Sequence, residues 1–310
     1  MRIVFMGTPE FAVASLDILV KNQYDIAAVV TVPDKPAGRG QKITYSAVKE
    51  YALAHGLKIL QPEKLKSEEF LEELRGLNAD LFIVVAFRML PEVVWSMPSL
   101  GTFNLHASLL PQYRGAAPLN WAIINGEHTT GLSTFFLQHE IDTGSIIFQE
   151  KISIGDEMTV GELHDEAMMQ GAQLVLKTVK AIENKQVQSI AQEIWMQENN
   201  IQESDLKHAK KIFKEDRCIH WDTSAQHIIN LIRGLSPYPV AFTTLNNQTL
   251  KIYKARKGPA SKDLKPGEFT SDGKSYLRFQ AADALVEILD LQLEGKKRMT
   301  VEEFLRGYKL

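Results

Sequence analysis

The N-terminal third of the chain alternates between short apolar runs and amphipathic segments, and this alternation constrains the fold more than any other feature. The apolar runs are typical of buried strands and cover residues 3–6, 26–31, 81–86 and 102–105. The segments between them show the spacing of amphipathic helices and cover residues 11–21, 47–55 and 68–75. Nearly continuous apolar strands separated by helices predict an α/β fold with a doubly wound, mostly parallel sheet.

The rest of the chain predicts a second domain of a different kind. A long helix is predicted over 160–182, with Thr159 and Glu162 placed as a capping box at its start. A polar stretch over 186–204 follows and has little periodicity. The pattern beyond it predicts a helix over 224–233 and short strands at 241–245, 250–255, 276–280 and 285–291. Thr300 and Glu303 form a second predicted capping box at a terminal helix.

Length, cysteine content and charge add broad limits. The 310 residues are enough for two domains, predicted as 1–189 and 207–310 with a linker over 190–206. Cys218 is the only cysteine, so no internal disulfide can form. No run approaches the roughly 18 apolar residues of a membrane span, and no signal peptide is recognised. From residue 205 onward the chain has 19 Lys and Arg against 13 Asp and Glu, while the remainder is acidic. This asymmetry leaves nucleic-acid binding open.

Two polar clusters stand where strand-like runs end. Asn104 and His106 are two residues apart, and side chains with that spacing point to the same side of a strand. Asp142 follows a second strand-like run over 132–137. An amide, an imidazole and a carboxylate that converge could stabilise an oxyanion and move a proton. Each residue taken singly also fits a structural role, such as a turn cap or an Asx-turn.

Longer strings around these residues decide between the two interpretations. Ser108-Leu109-Leu110-Pro111, Arg114-Gly115-Ala116-Ala117-Pro118 and Asp142-Thr143-Gly144 resemble the signature of the folate-dependent formyltransferases. The resemblance runs over the whole chain and includes Gly7-Thr8-Pro9-Glu10-Phe11-Ala12 and the loop from Pro33 to Gly40. It implies a Rossmann-like formyltransferase domain followed by a small OB-like β-barrel domain.

The resemblance also implies an activity. It implies that 10-formyltetrahydrofolate is the formyl donor, that no metal takes part, and that the acceptor is the amino group of methionine-charged initiator tRNA. In this interpretation Asn104 and His106 stabilise the oxyanion, and Asp142 orients His106 and relays protons. Ser108, Leu109, Leu110 and Pro111 would line the folate site. A cytoplasmic monomer with no membrane partner is expected.

Basic residues are the candidates for contact with tRNA. The resemblance implies that the loop over 33–41 meets the acceptor end, with Arg39, Lys35 and Lys42 as contacts; without it, a flexible surface loop is the simpler interpretation. Further candidates share a basic side chain in the C-terminal part of the chain: Lys207, Lys210, Lys211, Lys214, Lys251, Lys254, Arg256 and Lys257. Arg88 could meet the acidic tail of the folate or face solvent, and solvent is favoured. His139 is expected to lie at the surface or behind the residues that contact the ligand.

Several other functions lack their motifs. The turn at Gly7-Thr8-Pro9 lacks the three-glycine spacing of a dinucleotide site, the P-loop pattern is missing, and no Cys/His cluster has zinc spacing. Two alternatives stay open at this point. One is formylation of a small amine, such as glycinamide ribonucleotide or an amino sugar, and the other is a non-catalytic RNA-binding protein.

Overall fold

The computed structural model describes residues 1–37, 42–261 and 263–309. The chain forms two compact units. The first consists of Met1–Gly115, Gly131–Ile152 and His164–His208, and the second of Ala116–Thr130, Ser153–Leu163 and Ala209–Leu310. Among the described residues, no helix is both long enough and apolar enough to cross a membrane.

The strands and helices are numbered in chain order. The strands are β1 (Arg2–Gly7), β2 (Asp25–Val30), β3 (Lys35–Ala37), β4 (Lys42–Thr44), β5 (Ile59–Leu60), β6 (Leu81–Val85), β7 (Thr102–His106), β8 (Arg114–Gly115), β9 (Thr129–Phe136), β10 (Ile146–Ser153), β11 (His208–Ala209), β12 (Ala241–Leu245), β13 (Gln248–Ala260), β14 (Phe269–Ser271), β15 (Leu277–Gln280), β16 (Ala284–Leu293) and β17 (Met299–Thr300). The helices are α1 (Glu10–Lys21), α2 (Ala47–Ala54), α3 (Glu68–Gly76), α4 (Glu92–Trp95), α5 (Pro118–Ile124), α6 (Val160–Glu183), α7 (Gln192–Glu198), α8 (Ala225–Gly234) and α9 (Val301–Gly307).

The main sheet of the first unit has the order β10-β9-β7-β6-β1-β2-β5 in the described part of the chain. The pairs β7–β6, β6–β1, β1–β2 and β2–β5 are parallel. The predicted doubly wound, mostly parallel sheet is therefore confirmed. The pair β7–β9 is antiparallel, a feature that the sequence pattern did not indicate. The chain winds outward from β1 through β2 to β5 and then returns to β6, so the strand order reverses between β1 and β6.

Helices cover both faces of this sheet. Val4, Phe82 and Val84 point to the face on which α3 packs through Phe70 and Leu74. On these strands the intervening residues are buried as well, and α1 and α2 contact β1, β6 and β2. A strand buried on both faces has no polar face to present, which explains the continuous apolar runs.

The second unit contains the antiparallel part of the fold. Its sheet has the order β12-β13-β16-β15-β14 among the described residues, and β17 pairs with β16. The predicted strands of this region are confirmed, together with the capping box of Thr300 and Glu303 at α9. The core contains the inward-facing residues of these strands and the apolar sides of α8 and α9.

The helix α5 also belongs to the second unit. Gly234 in α8 lies against α5 so closely that an added Cβ would stand 2.6 Å from Cγ1 of Ile124. The Asn120 side chain donates to the Gly234 carbonyl oxygen at 2.8 Å. Helix α5 precedes the C-terminal part by more than eighty residues, so local pattern could not assign it to this core.

The segment predicted as a linker over 190–206 is structured. It contains α7, and Ile190 forms a β-bridge with Ile146. Gln192 is fully buried and Met196 is 9% exposed. The segment therefore packs into the first unit; the boundaries at 189 and 206 stay a prediction for the domain assignment. A polar residue occupies the most buried position of α7, which removed the apolar periodicity that would have indicated a packed helix.

Candidate active site

The carboxyl end of β7 holds the first two predicted site residues. Asn104 pairs in register with Val84 of β6, and His106 pairs with Ser133 of β9. The Asn104 side chain is partly buried, and His106 is 7% exposed. The strands β1, β6 and β7 are parallel neighbours, so their carboxyl ends meet at one edge, beside the point where strand order reverses. Ligands of open α/β sheets bind at this position.

The hydrogen bond of His106 defines its neutral tautomer. Nε2 lies 2.9 Å from the carbonyl oxygen of Tyr113, and a carbonyl can only accept, so Nε2 carries a proton. In the neutral ring Nδ1 therefore has a free lone pair. Nδ1 lies 3.8 Å from Oδ2 of Asp142, and both side chains are largely buried. This separation is too long for a direct hydrogen bond.

Asp142 is fixed by its backbone and by one donor. Its φ is 55°, in the left-handed region, which Asp tolerates better than most residues. Oδ2 accepts a hydrogen bond from the backbone N–H of Gly115 at 3.0 Å. The carboxylate is thus held facing the His106 ring. The structure brings together the imidazole and carboxylate that the sequence predicted as partners.

The amide of Asn104 is available to a ligand. Within the described ranges, no protein group hydrogen-bonds to it. At the carboxyl end of β1, the Thr8 hydroxyl is buried, also without a protein partner in the described part of the chain. Unsatisfied polar groups at a sheet edge are typical of a site that completes its hydrogen bonds with substrate.

The turn after β7 contains the four predicted folate contacts. Ser108 and Leu110 are fully buried, and Ser108 Oγ donates to the Gln112 carbonyl at 2.6 Å. The Leu110 N–H donates to Ser133 Oγ at 3.0 Å, and its carbonyl accepts from Gln149 Nε2 at 2.8 Å. The backbone groups of Leu110 are therefore satisfied inside the protein. Of the four side chains, Leu109 alone is partly exposed, and Pro111 is buried.

Gln192 is a site residue that sequence reasoning missed. Its Nε2 donates to the carbonyl oxygens of Asp142 at 2.8 Å and of Gly144 at 2.9 Å. Its Oε1 accepts from Arg114 Nη2 at 2.7 Å and from Nε at 3.1 Å. One side chain thus joins the loop that carries Asp142 to the short strand β8, which contains Arg114 and Gly115. A lone glutamine in a polar segment offered no sequence signal for this role.

Two neighbouring expectations have different outcomes. The prediction that Arg88 faces solvent is wrong: its guanidinium donates to the carbonyl oxygens of Pro62 and Glu63, and burial lowers its pKa. This contact joins the loops that follow β5 and β6. The ring of His139 is largely exposed, as expected, and lies edge-on to Trp95 with Nε2 at 3.5 Å from Glu92.

The predicted tRNA contacts are placed only in part. Arg39 lies outside the described residues, as does the side chain of Lys42, whereas Lys35 is exposed at the start of β3. Four of the C-terminal candidates form ion pairs with carboxylates of the second unit: Lys210 with Asp216, Lys254 with Glu157, Arg256 with Glu287 and Lys257 with Asp283. Three of these carboxylates, those of Asp216, Asp283 and Glu287, are already included in the count over residues 205–310, and only Glu157 adds a further negative charge beside these candidates.

The chain matches the model of the formyl transferase family over residues 1–201 and the model of the formyl transferase C-terminal domain over residues 211–309. It therefore belongs to the formyl transferase family, as the motifs implied. Its relatives include proteins named methionyl-tRNA formyltransferase. One from Bacteroides fragilis (strain YCH46) is 54% identical over 100% of this chain and 96% of its own length. Another from Flavobacterium johnsoniae is 53% identical over 99% of this chain and 96% of its own length.

Solved structures of lower identity share the fold. An N-formyltransferase from Helicobacter canadensis, solved with folinic acid and dTDP-3-aminofucose, has a TM-score of 0.67 at 21% identity, over 96% of this chain and 99% of that one. HypX from Aquifex aeolicus, solved with tetrahydrofolic acid, has a TM-score of 0.64 at 16% identity, over 98% of this chain and 47% of that one. At these identities the likeness establishes the architecture alone. In the described ranges, no group of three or more His, Cys, Asp or Glu is placed to hold a metal.

Proposed function

We propose that this chain transfers a formyl group from 10-formyltetrahydrofolate to the free amino group of methionine-charged initiator tRNA. The observation that carries the proposal is the arrangement of Asn104, His106 and Asp142 at one edge of the sheet. Relatives that are more than half identical over the whole chain support the acceptor, because their names specify methionyl-tRNA. The folates bound to two structural neighbours support the class of donor.

The reaction sets two requirements: negative charge must be stabilised, and a proton must be moved. A bond forms between the amine nitrogen and the formyl carbon, and the bond from that carbon to the folate nitrogen breaks. The amine loses one proton and the folate nitrogen gains one. A protein group can carry this proton from the amine to the leaving nitrogen. Negative charge collects on the formyl oxygen before the leaving bond breaks.

Asn104 meets the charge requirement. Its amide N–H has no protein partner in the described part of the chain, so it can donate to the oxygen as charge develops. A preorganised donor of this kind contributes about 2.7–4 kcal/mol to transition-state stabilisation. Its backbone is held in register with Val84 of β6, which fixes the position from which the side chain can donate.

His106 and Asp142 meet the proton requirement. The Tyr113 carbonyl keeps the proton on Nε2, so Nδ1 can take a proton from the attacking amine. The resulting imidazolium faces Asp142 and can stabilise the oxyanion before it returns the proton to the leaving nitrogen. Because 3.8 Å separates Nδ1 from Oδ2, we propose that a water bridges them and relays the proton.

The donor site is proposed at the turn over 108–111, beside Asn104. The folate supplies the activated one-carbon unit. Ser108 and Leu110 are enclosed, so their proposed role is to hold the shape of the turn, and Leu109 is the side chain with surface available for contact.

The tRNA surface is proposed to include Lys35, Lys42 and Arg39 together with the basic residues of the second unit. Phosphate contacts release counterions, so the logarithm of the affinity for tRNA should fall linearly with the logarithm of the salt concentration. Arg39→Leu should raise the KM for charged tRNA and leave the KM for the folate unchanged. A salt-insensitive affinity, or an unchanged KM for tRNA, would remove these residues from the interface.

The decisive experiment follows a labelled formyl group from 10-formyltetrahydrofolate to methionine-charged initiator tRNA. Transfer by the wild-type chain that His106→Ala abolishes would support both the acceptor and the site. Uncharged tRNA is the control, because it lacks the amino group. Transfer to an amino sugar or to glycinamide ribonucleotide, with none to charged tRNA, would overturn the proposed acceptor and leave the catalytic centre intact.

A further inference from the structure

Gln192 makes four hydrogen bonds from a position with no solvent exposure. Both of its amide protons are donated to backbone carbonyls of one loop, at Asp142 and Gly144. Its single oxygen accepts two hydrogen bonds from Arg114. The side chain is therefore fully used on both sides, and a glutamine is the residue whose amide can both donate and accept in this way.

The hydrogen bonds that Gln192 donates and those that it accepts both help to position the carboxylate of Asp142. The donor side holds the backbone of Asp142 itself, in a conformation with positive φ. The acceptor side holds Arg114, whose neighbour Gly115 donates its N–H to Asp142 Oδ2. Gln192 thus determines where Asp142 stands and where the donor to its carboxylate stands. None of its contacts reaches Asn104 or His106 directly.

We infer that Gln192 is a positioning residue for formyl transfer, which acts by holding Asp142 against His106. The inference rests on the proposed role of Asp142 in proton transfer. It assigns a catalytic consequence to α7, a helix outside the parallel sheet and its signature motifs. Loss of Gln192 should move Asp142 while the edge of β7 stays in place, so turnover should change more than substrate binding.

Gln280 provides a matched control in the second unit. It is 1% exposed, and its Nε2 also donates to two carbonyl oxygens, those of Ser261 and Ala281, at 2.7 Å each. Gln280→Leu removes two buried hydrogen bonds to carbonyl oxygens, and so matches the donor-side half of the four that Gln192→Leu removes. Any general effect of losing buried amide hydrogen bonds should appear in both variants. An effect that acts through Asp142 should appear in Gln192→Leu alone.

We would measure kcat and both KM values for wild type, Gln192→Leu and Gln280→Leu by varying each substrate with the other saturating, and record thermal melts of each. A displacement of about 1 Å at a catalytic group can reduce turnover about 100-fold. We expect such a fall in kcat for Gln192→Leu, with both KM values and the kcat of Gln280→Leu within about twofold of wild type. Equal kcat in the two variants would overturn the inference.

A second variant covers failure of Gln192→Leu to fold. Gln192→Glu keeps the size and the acceptor for Arg114 but places an oxygen against the two carbonyl oxygens, so it disrupts the donor side selectively. It should lower kcat while Gln280→Glu does not. A Gln192→Glu enzyme with wild-type kcat would overturn the inference.

A double-mutant cycle with Asp142→Ala tests whether Gln192 acts through Asp142. If it does, Gln192→Leu or Gln192→Glu should cause almost no further loss of kcat once the Asp142 carboxylate is gone. A full, additive loss would indicate a structural effect and refute the inference. Wild-type enzyme run in parallel distinguishes failure of the proposed function from failure of the positioning role. If the wild-type enzyme transfers no formyl group, the proposed function is contradicted. If it does, and the Gln192 variants transfer equally well, only the positioning role is contradicted.

Discussion

Replacing Gly144 by alanine tests whether the position of the loop that carries Asp142 limits turnover. A Cβ at Gly144 would lie 1.7 Å from the carbonyl oxygen of Phe136, far inside the 3.0 Å that real Cβ contacts respect. The gap must therefore widen by about 1.3 Å in a closely packed region. Phe136 belongs to β9 of the main sheet, whereas Gly144 lies in a loop, so we expect the loop to move and to take Asp142 with it.

The size of the effect follows from that displacement. A shift of about 1 Å in a catalytic group costs about 100-fold in rate, or about 2.7 kcal/mol of transition-state free energy. We would measure kcat for Gly144→Ala with 10-formyltetrahydrofolate and charged tRNA both saturating, and record its thermal transition. Gly155→Ala is the control, because its added Cβ would lie 3.8 Å from the nearest atom, Cβ of Met158. A folded Gly144→Ala enzyme with the kcat of Gly155→Ala would refute the reasoning.

Three further outcomes are expected. Asn104→Ala should lower kcat by about 10²–10³-fold. The melting temperature should stay unchanged, because the Asn104 amide has no protein partner in the described part of the chain. A clear fall in melting temperature would indicate a structural role for Asn104. Hydrogen bonds from the backbone N–H and the hydroxyl of Thr159 lower the pKa of the Glu162 carboxyl. The ionised Glu162 therefore contributes to stability above the unfolded pKa of about 4.3, and this contribution is lost as the pH falls through the lower pKa of the folded state. Melting temperatures from about pH 6 to about pH 3 should fall more steeply for wild type than for Glu162→Gln, and parallel curves would contradict the assignment. Thr300→Ala should lower the free energy of unfolding in urea by about 1 kcal/mol, because the Thr300 side chain accepts from the Glu303 N–H, and an unchanged midpoint would show that this cap contributes nothing.

The parallel strands could be predicted because their burial shows in the local amino-acid composition. Burial on both faces requires a continuous apolar run, and β1, β2 and β6 each have one. The helix starts at Thr159 and Thr300 could be predicted for a similar reason, since a capping box depends on residues three positions apart. The strand β5 has two residues and so carries no periodicity of its own. The antiparallel direction of β9 depends on a partner in β7, which local pattern does not specify.

The candidate site divides in the same way. The sequence by itself determined the residue types at the strand ends: an amide and an imidazole two positions apart in β7, and an aspartate ahead of Thr-Gly. Only the tertiary structure decided that Nε2 of His106 donates to Tyr113, that Arg88 joins two loops, and that Gln192 holds both Asp142 and Arg114. Spacing along a strand is a local property that follows from backbone geometry. The contacts of Gln192 span 50 residues to Asp142 and 78 to Arg114, and a polar contact over such distances exists only once the chain has packed.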